Sequence, residues 1–467
     1  MSIRDRGSRN HLNRRQVLKV SIGGATAAYL VAPASFMARL AAAQDAPLAY
    51  TGDIEFWDWE FAPRQAAEDE IIASWKERYP DINLSYQVLP YADAETKLLT
   101  AATAGEGPPF ANVHFNWRVD LQRAGVLVPY PADLFNYDEL ISTQFNREPG
   151  TGNIYTSTFC FYTDQIYFNT ALLEEQGISA DAIPTTWDEF LKMCVQLTKW
   201  DGDRLAQAGW TFNHYYSREW IWTSMIYQQG GYLYSEDGTQ ALWNSEESIT
   251  ALQTIQDVYH VHKIDAPEFL DMFDAFGGGV AATYISQGYT GAFWTPTDYP
   301  DLAWSTATTP TFTGQPTPSW GLMSPEEGFC VFTTASPEQQ AVAFQFIKEL
   351  VGTDEQRVRW AIISNGPPDK ASLADAPEIK QAEPGNSITT QAVTLPYRIN
   401  YGERPLEAEP IWRTLFDEII LNKADVREAA NTATEQMNAA LASSGKQRLF
   451  TERLYTPPAG GSATPTA

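Results

Sequence analysis

Cysteine, histidine and positive charge are scarce in this chain of 467 residues, which holds three cysteines, five histidines and 32 Lys+Arg against 58 Asp+Glu. The shortage of basic residues excludes nucleic acid as a partner, because the phosphate backbone needs a basic footprint and the formal net charge is −26. An anionic membrane surface is a poor match for the same reason. Cys160, Cys194 and Cys330 have no short spacing. They leave open one disulfide with a thiol to spare, or three buried thiols acting as small hydrophobes; the second is the expectation, and no metal cluster is expected. His260 and His262 form a His-x-His without a third ligand nearby, so surface or internally bonded histidines are expected there rather than zinc. Gly-x-Ser-x-Gly, His-Glu-x-x-His and Gly-x-x-x-x-Gly-Lys are all missing, so any ATP hydrolysis belongs to a partner. No repeat of 20 to 50 residues is found, and no cofactor is implied.

What is present begins with an export address. Asn13-Arg14-Arg15-Gln16-Val17-Leu18-Lys19 has the twin-arginine form, followed by a mild apolar stretch and small residues at Ala41-Ala42-Ala43. The apolar run is interrupted by Pro33, Ser35 and Arg39, which favours cleavage after residue 43 over a membrane anchor. With no cysteine near that point, lipid anchoring is not expected. Residues 1–43 hold seven of the Lys+Arg and one of the Asp+Glu, so the remaining 424 residues carry a charge of −32. That excess is read as solubility outside the cytoplasm rather than as a cationic ligand. The length predicts two domains.

Along the chain, hydrophobic periodicity predicts a strand at Ile54–Trp57 and a helix over Gln65–Tyr79. A strand over 82–88, a helix from about Ala92 to Gly105, a strand at Val113–Phe115 and a helix over Arg118–Ala124 follow. This β-α-β-α-β order opens a mostly parallel sheet with helices on both faces, whose ligand rim lies beyond the carboxyl ends of the strands. Asp58, Trp59 and Glu60 leave the first strand and Asn116 and Trp117 the third, on one rim. The stretch from Ile154 to Phe190 runs from an aromatic, β-prone segment through Tyr167-Phe168-Asn169 into a short helix closed by Gly177. A further helix starts at a capping box of Thr186 and Glu189. Asn244 with Glu247 is expected to cap another helix, and Ser336-Pro337-Glu338-Gln339 starts one ended by Gly352. Gly277-Gly278-Gly279 is read as a flexible connection, and the tail from Thr456 as disordered.

The ordered landmarks resemble family 1 extracellular solute-binding proteins, the sugar-binding partners of ABC importers. They are Trp75–Pro80 followed by Ile82-Asn83-Leu84, then Tyr167-Phe168-Asn169, Pro184 to Glu189, Gln229-Gly230-Gly231-Tyr232, and Trp243 to Glu247. Ala281-Ala282-Thr283-Tyr284-Ile285 with Trp294, Trp320-Gly321 to Ser324, and Asn365-Gly366-Pro367-Pro368 complete the set. One departure is Asn112, where the family usually has Asp before the third strand's exit; altered local bonding is expected there, with the strand kept. The resemblance implies an α/β, two-lobed periplasmic-binding-protein fold, each lobe a mostly parallel sheet flanked by helices, with the ligand cleft between lobes. On that reading residues 46–154 and 280–328 build the first lobe, and 155–279 and 329–455 the second. Closure over the ligand is what a membrane permease would recognise. The partners implied are a sugar ligand and ABC permease subunits, the protein being a monomer in the periplasm or outside the cell.

Fifteen tryptophans and 22 tyrosines suit a sugar site, since flat rings cover apolar C–H faces while polar groups meet the hydroxyls. Trp75 and Trp187, on helical faces, are expected in the core. The candidate contacts are Trp59, Glu60 and Asn116 at strand ends, and Tyr162 and Asp164 on a strand crossing into the second lobe. Trp220, Trp222, Trp320 and Gly321 join them, with Trp294 as the stacking tryptophan. Two other readings stay open. Asp58, Glu60 and Asp164 include a possible carboxylate pair for glycoside hydrolysis, and the acidic surface permits a polyamine or other cation.

Overall fold

A computed structural model describes residues 48–294, 299–316, 321–325, 328–382, 387–400, 402–405, 407–444, 450–451 and 453–454. The expected leader, the tail from Thr456 and Trp320 lie outside these residues.

Alternation of apolar and polar residues sets the first unit. β1 (Gly52–Trp59) pairs in parallel with β2 (Ile82–Leu89) along its whole length and with β3 (Phe110–Val113) at Trp57 and Ala111. Helices Ala62–Arg78 and Tyr91–Ala104 join them, the second ended by Gly105 in the left-handed conformation at φ 76°. β3 ends earlier than the periodicity predicts, because the His114 side chain accepts from Asn116 N and starts helix Phe115–Arg123 in place of further strand. β4 (Leu127–Val128) then closes the edge. Ile54, Phe56, Phe110, Ile71 and Trp75 form one core beneath.

The second unit is built on β5 (Phe161–Asn169), buried along all nine residues. Both of its faces are covered, so its polar residues Thr163, Asp164, Gln165 and Asn169 are buried along with its rings and bond inside the protein. Asn169 caps helix Thr170–Glu175, and Gly177 takes φ 71° after it. Thr186 Oγ1 accepts from Glu189 N at 3.3 Å to start helix Trp187–Leu197, as expected. A short hairpin, β6 (Lys199–Asp201) with β7 (Arg204–Gln207), follows. Helix Tyr215–Gln228 comes next, and helix Glu246–His260 after it is capped by Ser245, whose hydroxyl accepts from Ser248 N, rather than by Asn244, which is turned to Asn431.

Sheet membership overturns the expected division of the chain. β8 (Thr283–Gln287) and β9 (Trp304–Thr308) both pair antiparallel with β5, and β10 (Gly321–Pro325) joins the same strand further along. β8, β9 and β10 therefore belong to the second sheet, not the first. β11 (Gly328–Phe332) instead pairs antiparallel with β3 and β4, and helix Pro337–Val351 packs its Phe346 and Ile347 on the first core. β12 (Arg398–Asn400) and β13 (Arg453–Leu454) return to the second sheet. The strand orders are β2-β1-β3-β11-β4 and β13-β12-β10-β5-β8. Both sheets are thus mixed: β11 enters the first antiparallel to β3 and β4, while in the second β8, β9 and β10 run antiparallel to β5 and β12 returns parallel to β10. The helices between β12 and β13 carry the second sheet's core through Trp412, Phe416 and Met437.

Cys160, Cys194 and Cys330 are buried thiols outside any disulfide. Burial raises the Cys330 thiol to about 12, so it behaves as an apolar group.

Candidate functional site

The carboxyl ends of β1 and β3 meet as a cluster of rings. Trp59 lies edge-on to Tyr91 at 5.2 Å and to Trp117 at 6.2 Å, with His114 6.5 Å away. A buried network fixes this platform from below. Asp58 accepts from Arg64 Nε at 3.2 Å, Gln65 Nε2 at 2.7 Å and Asn112 Nδ2 at 2.8 Å, and the Arg64 guanidinium lies 4.3 Å from the Trp59 ring. Asn112 thus answers Asp58 as a donor, which is the altered bonding expected, with β3 intact. Glu60 stays exposed, its Oε1 accepting from Tyr91 N at 3.4 Å. Asn116 is half-buried on the first turn after β3, and among the described residues its Oδ1 and Trp59 Nε1 have no hydrogen-bond partner.

A second group of rings comes from helix Tyr215–Gln228 and the turn after β8. Trp220 is half-buried, stacked on Tyr216 one turn earlier and edge-on to Tyr289 at 6.4 Å. Tyr216 OH donates to Glu409 Oε2 at 3.2 Å, and Tyr289 also meets Tyr162 at 5.5 Å. Arg404 pairs with Glu219 at 2.9 Å. The two groups approach each other. Phe61, just past β1, meets Phe293 edge-on at 6.4 Å, Arg123 pairs with Glu403, and Phe115 packs into the second core.

Electrostatics follow from that approach. Burial, then the field of Arg404, lowers His114 to about 4, so it is neutral, and with Nδ1 accepting from Asn116 N its Nε2 carries the proton. Burial raises Glu95 to about 7, with Asp120 on its own side and Glu409 from the other adding to the effect.

Of the expected contacts, Trp59, Glu60 and Asn116 share one rim and Trp220 stands on the other. The remaining ones are placed differently. Trp222 is 1% exposed, donates to Ser248 Oγ at 2.9 Å and packs on Trp243 and Phe416; its position two residues after Trp220 turns it into the core. Trp294 is 3% exposed, donates to Tyr284 OH at 2.6 Å and packs on Phe276 and Tyr299. Its indole also covers Gly277, where a Cβ would come within 2.8 Å of the ring, so the glycine run serves close packing. Asp164 is buried, accepting from Ser224 Oγ and lying 3.8 Å from Arg398 Nη1. Tyr162 shares its strand face and is buried beside Tyr289. Gly321 opens β10, paired with Arg398. With Asp58 and Asp164 both tied into internal networks, only Glu60 of the three carboxylates is exposed. His260 Nε2 lies 2.9 Å from Ile420 O, and among the described residues no group of His, Cys, Asp and Glu could hold a metal.

Tyr91, His114, Tyr216, Tyr289 and Glu409 were not anticipated. The i, i+4 spacing of Tyr216 and Trp220 was a usable signal. No local signal marks Glu409, which reaches the rim from a helix far along the chain.

Comparison with known proteins bears on this arrangement. The arabinooligosaccharide-binding protein of Halalkalibacterium halodurans is 24% identical over 337 residues, 68% of this chain and 72% of that one. The ABC substrate-binding protein Lmo0181 from Listeria monocytogenes, solved with cycloalternan, matches with a TM-score of 0.70 at 18% identity, covering 84% of this chain and 100% of that one. Maltose-bound T. maritima MalE3 matches with a TM-score of 0.68 at 19% identity over 84% and 99%. These structures share its two-lobed α/β fold. Residues 58–357 match the family described as bacterial extracellular solute-binding protein, and this chain belongs to that family of binding proteins rather than enzymes.

Proposed function

We propose that the protein is an exported receptor that captures a sugar, an oligosaccharide or a glycoside, between its two lobes and delivers it to the permease of an ABC importer. One observation carries the reading: two half-buried aromatic groups, Trp59 with Tyr91 and Trp220 with Tyr216, come from opposite sheets and are each edged by hydrogen-bonding side chains. Ring faces suit the C–H surface of a pyranose or furanose. Trp59 Nε1 and Asn116 Oδ1, a donor and an acceptor without hydrogen-bond partners among the described residues, suit its hydroxyls. The relatives' named ligands, arabinooligosaccharide and maltose among them, support a saccharide of more than one unit.

In this reading Trp59, Glu60, Asn116 and Trp220 touch the ligand, and Tyr162 supports Tyr289 from beneath. The protein acts as a monomer, leaves the cytoplasm by the twin-arginine route, and works in the periplasm or at the cell exterior. Ligand preference for the closed arrangement is the signal that the permease reads.

Thermal unfolding against arabino- and malto-oligosaccharides, with polyamines in parallel, tests it. A ligand that binds only the folded state raises the melting temperature by mass action. A rise with a saccharide and none with polyamines is expected. A polyamine-only response overturns the sugar assignment, and saccharide turnover at catalytic protein levels overturns the binding-only one.

A further inference from the structure

The guanidinium of Arg118 is sealed inside the protein at 0% exposure. The rings of Phe115 and Phe450 each lie 5.0 Å from its central carbon. Its Nη1 reaches Asn146 O at 3.5 Å, the outer limit of a hydrogen bond. Among the described residues its Nε and Nη2 have no hydrogen-bond partner and no carboxylate pairs with it. Glu148, the acid whose field reaches it, is engaged by Thr151 and Tyr155. Burial lowers the guanidinium to about 10, which still leaves it a cation at neutral pH.

A buried charge without a counter-ion is among the costliest arrangements in a protein interior. The unpartnered nitrogens define what would relieve it. Nε and Nη2 form one fork of the guanidinium, with parallel N–H bonds spaced for two oxygens of a single planar group. Gln122, one helical turn further on, is buried with both amide atoms unpartnered. Water would satisfy the N–H groups and leave the charge. An oxyanion satisfies both.

We propose that Arg118 and Gln122 form a structural anion site that takes a small planar oxyanion of the carboxylate class, held side-on by Nε and Nη2 with the Gln122 amide as a further donor. The site joins the two halves of the molecule. Arg118 stands on the helix after β3, Phe115 packs into the second core, and Phe450 leads into β13 of the second sheet. The bound anion would therefore brace the junction between the lobes.

The test titrates desalted full-length protein with sodium formate and, separately, sodium bicarbonate, with ionic strength held constant by sodium chloride and unfolding followed by intrinsic fluorescence. A saturable rise of about 2 °C or more is expected with at least one of the two, and the better responder identifies the anion. Arg118→Gln should abolish the response. Gln122→Ala, which keeps the cation, should raise the half-saturating concentration several-fold, and serves if the arginine variant does not fold. A crystal grown in formate should show a planar group on Nε and Nη2. A flat or non-saturating wild-type response to both anions overturns the proposal, as does density for water alone at those two nitrogens.

Discussion

Trp220 stacks on Tyr216 with 12° between the ring planes and 6.2 Å between centroids, while Trp222, two residues on, is buried against Trp243 and Phe416. A step of two along a helix turns a side chain through roughly 200°, so neighbouring tryptophans divide between rim and core. Trp220→Ala should weaken saccharide binding by about 1 kcal/mol through lost stacking, with little change in melting temperature. Trp222→Ala should instead lower stability by about 3–5 kcal/mol. Titration calorimetry and urea unfolding on both variants check the division, and the reverse pattern would reassign the two faces.

Trp294→Ala is expected to behave like a core truncation. The indole fills the space between Gly277, Phe276 and Tyr299 and donates to Tyr284, so its removal should cost about 3–5 kcal/mol. Affinity measured on the folded fraction should hold near the wild-type value. A large loss of affinity at unchanged stability would return Trp294 to the ligand contacts.

Glu95 makes stability depend on pH in a defined direction. Burial first, then Asp120 and Glu409, raises its carboxyl to about 7 from an ordinary 4.5, so the folded protein holds a proton that the unfolded chain releases. The associated stability is complete below pH 4.5 and disappears as pH rises through 7. Melting temperatures from pH 5 to 8 should therefore fall more steeply for wild type than for Glu95→Gln, which stays neutral throughout. Parallel curves would sink the assignment.

Asn112→Asp places a carboxylate against Asp58, which now receives the Asn112 amide at 2.8 Å. At neutral pH the lost donor and the added like charge should destabilise the fold by about 3 kcal/mol, partly offset by Arg64. Lowering the pH lets the pair share a proton, so the deficit relative to wild type should shrink in acid. Chemical denaturation at pH 7 and pH 5 measures both effects.

Much of the local structure was legible from residue patterns. The first β-α-β-α-β run, the Thr186 start, the Gly177 end and the Ser336 capping box, completed by Gln339, depend on side chains within four residues of one another. Short-range sterics and hydrogen bonds decide such features before any core forms. The Asn112 departure also had a local consequence, because a donor in place of an acceptor must find an acceptor, and Asp58 supplies it.

Pairing partners are another matter. β8, β10 and β11 are short strands of similar composition, and nothing within them states which sheet they join. That choice rests on β5 being able to take β8 on one edge and β9 and β10 on the other, and on β11 filling the gap between β3 and β4. The sheets that β8, β9, β10 and β11 join differ from the expected division for this reason.

The sequence by itself determined that the chain is acidic, thiol-poor and aromatic-rich, with strand ends that carry Trp59, Glu60 and Asn116 to one rim, because composition and periodicity act locally. Only the tertiary structure decided which tryptophans face outward, that Asp58 and Asp164 are spent on internal bonds, and that Tyr289 and Glu409 arrive opposite Trp59's platform. Burial is a property of what packs against a side chain, and those neighbours come from other elements, some as far along the chain as Arg398 from Asp164 or Phe416 from Trp222.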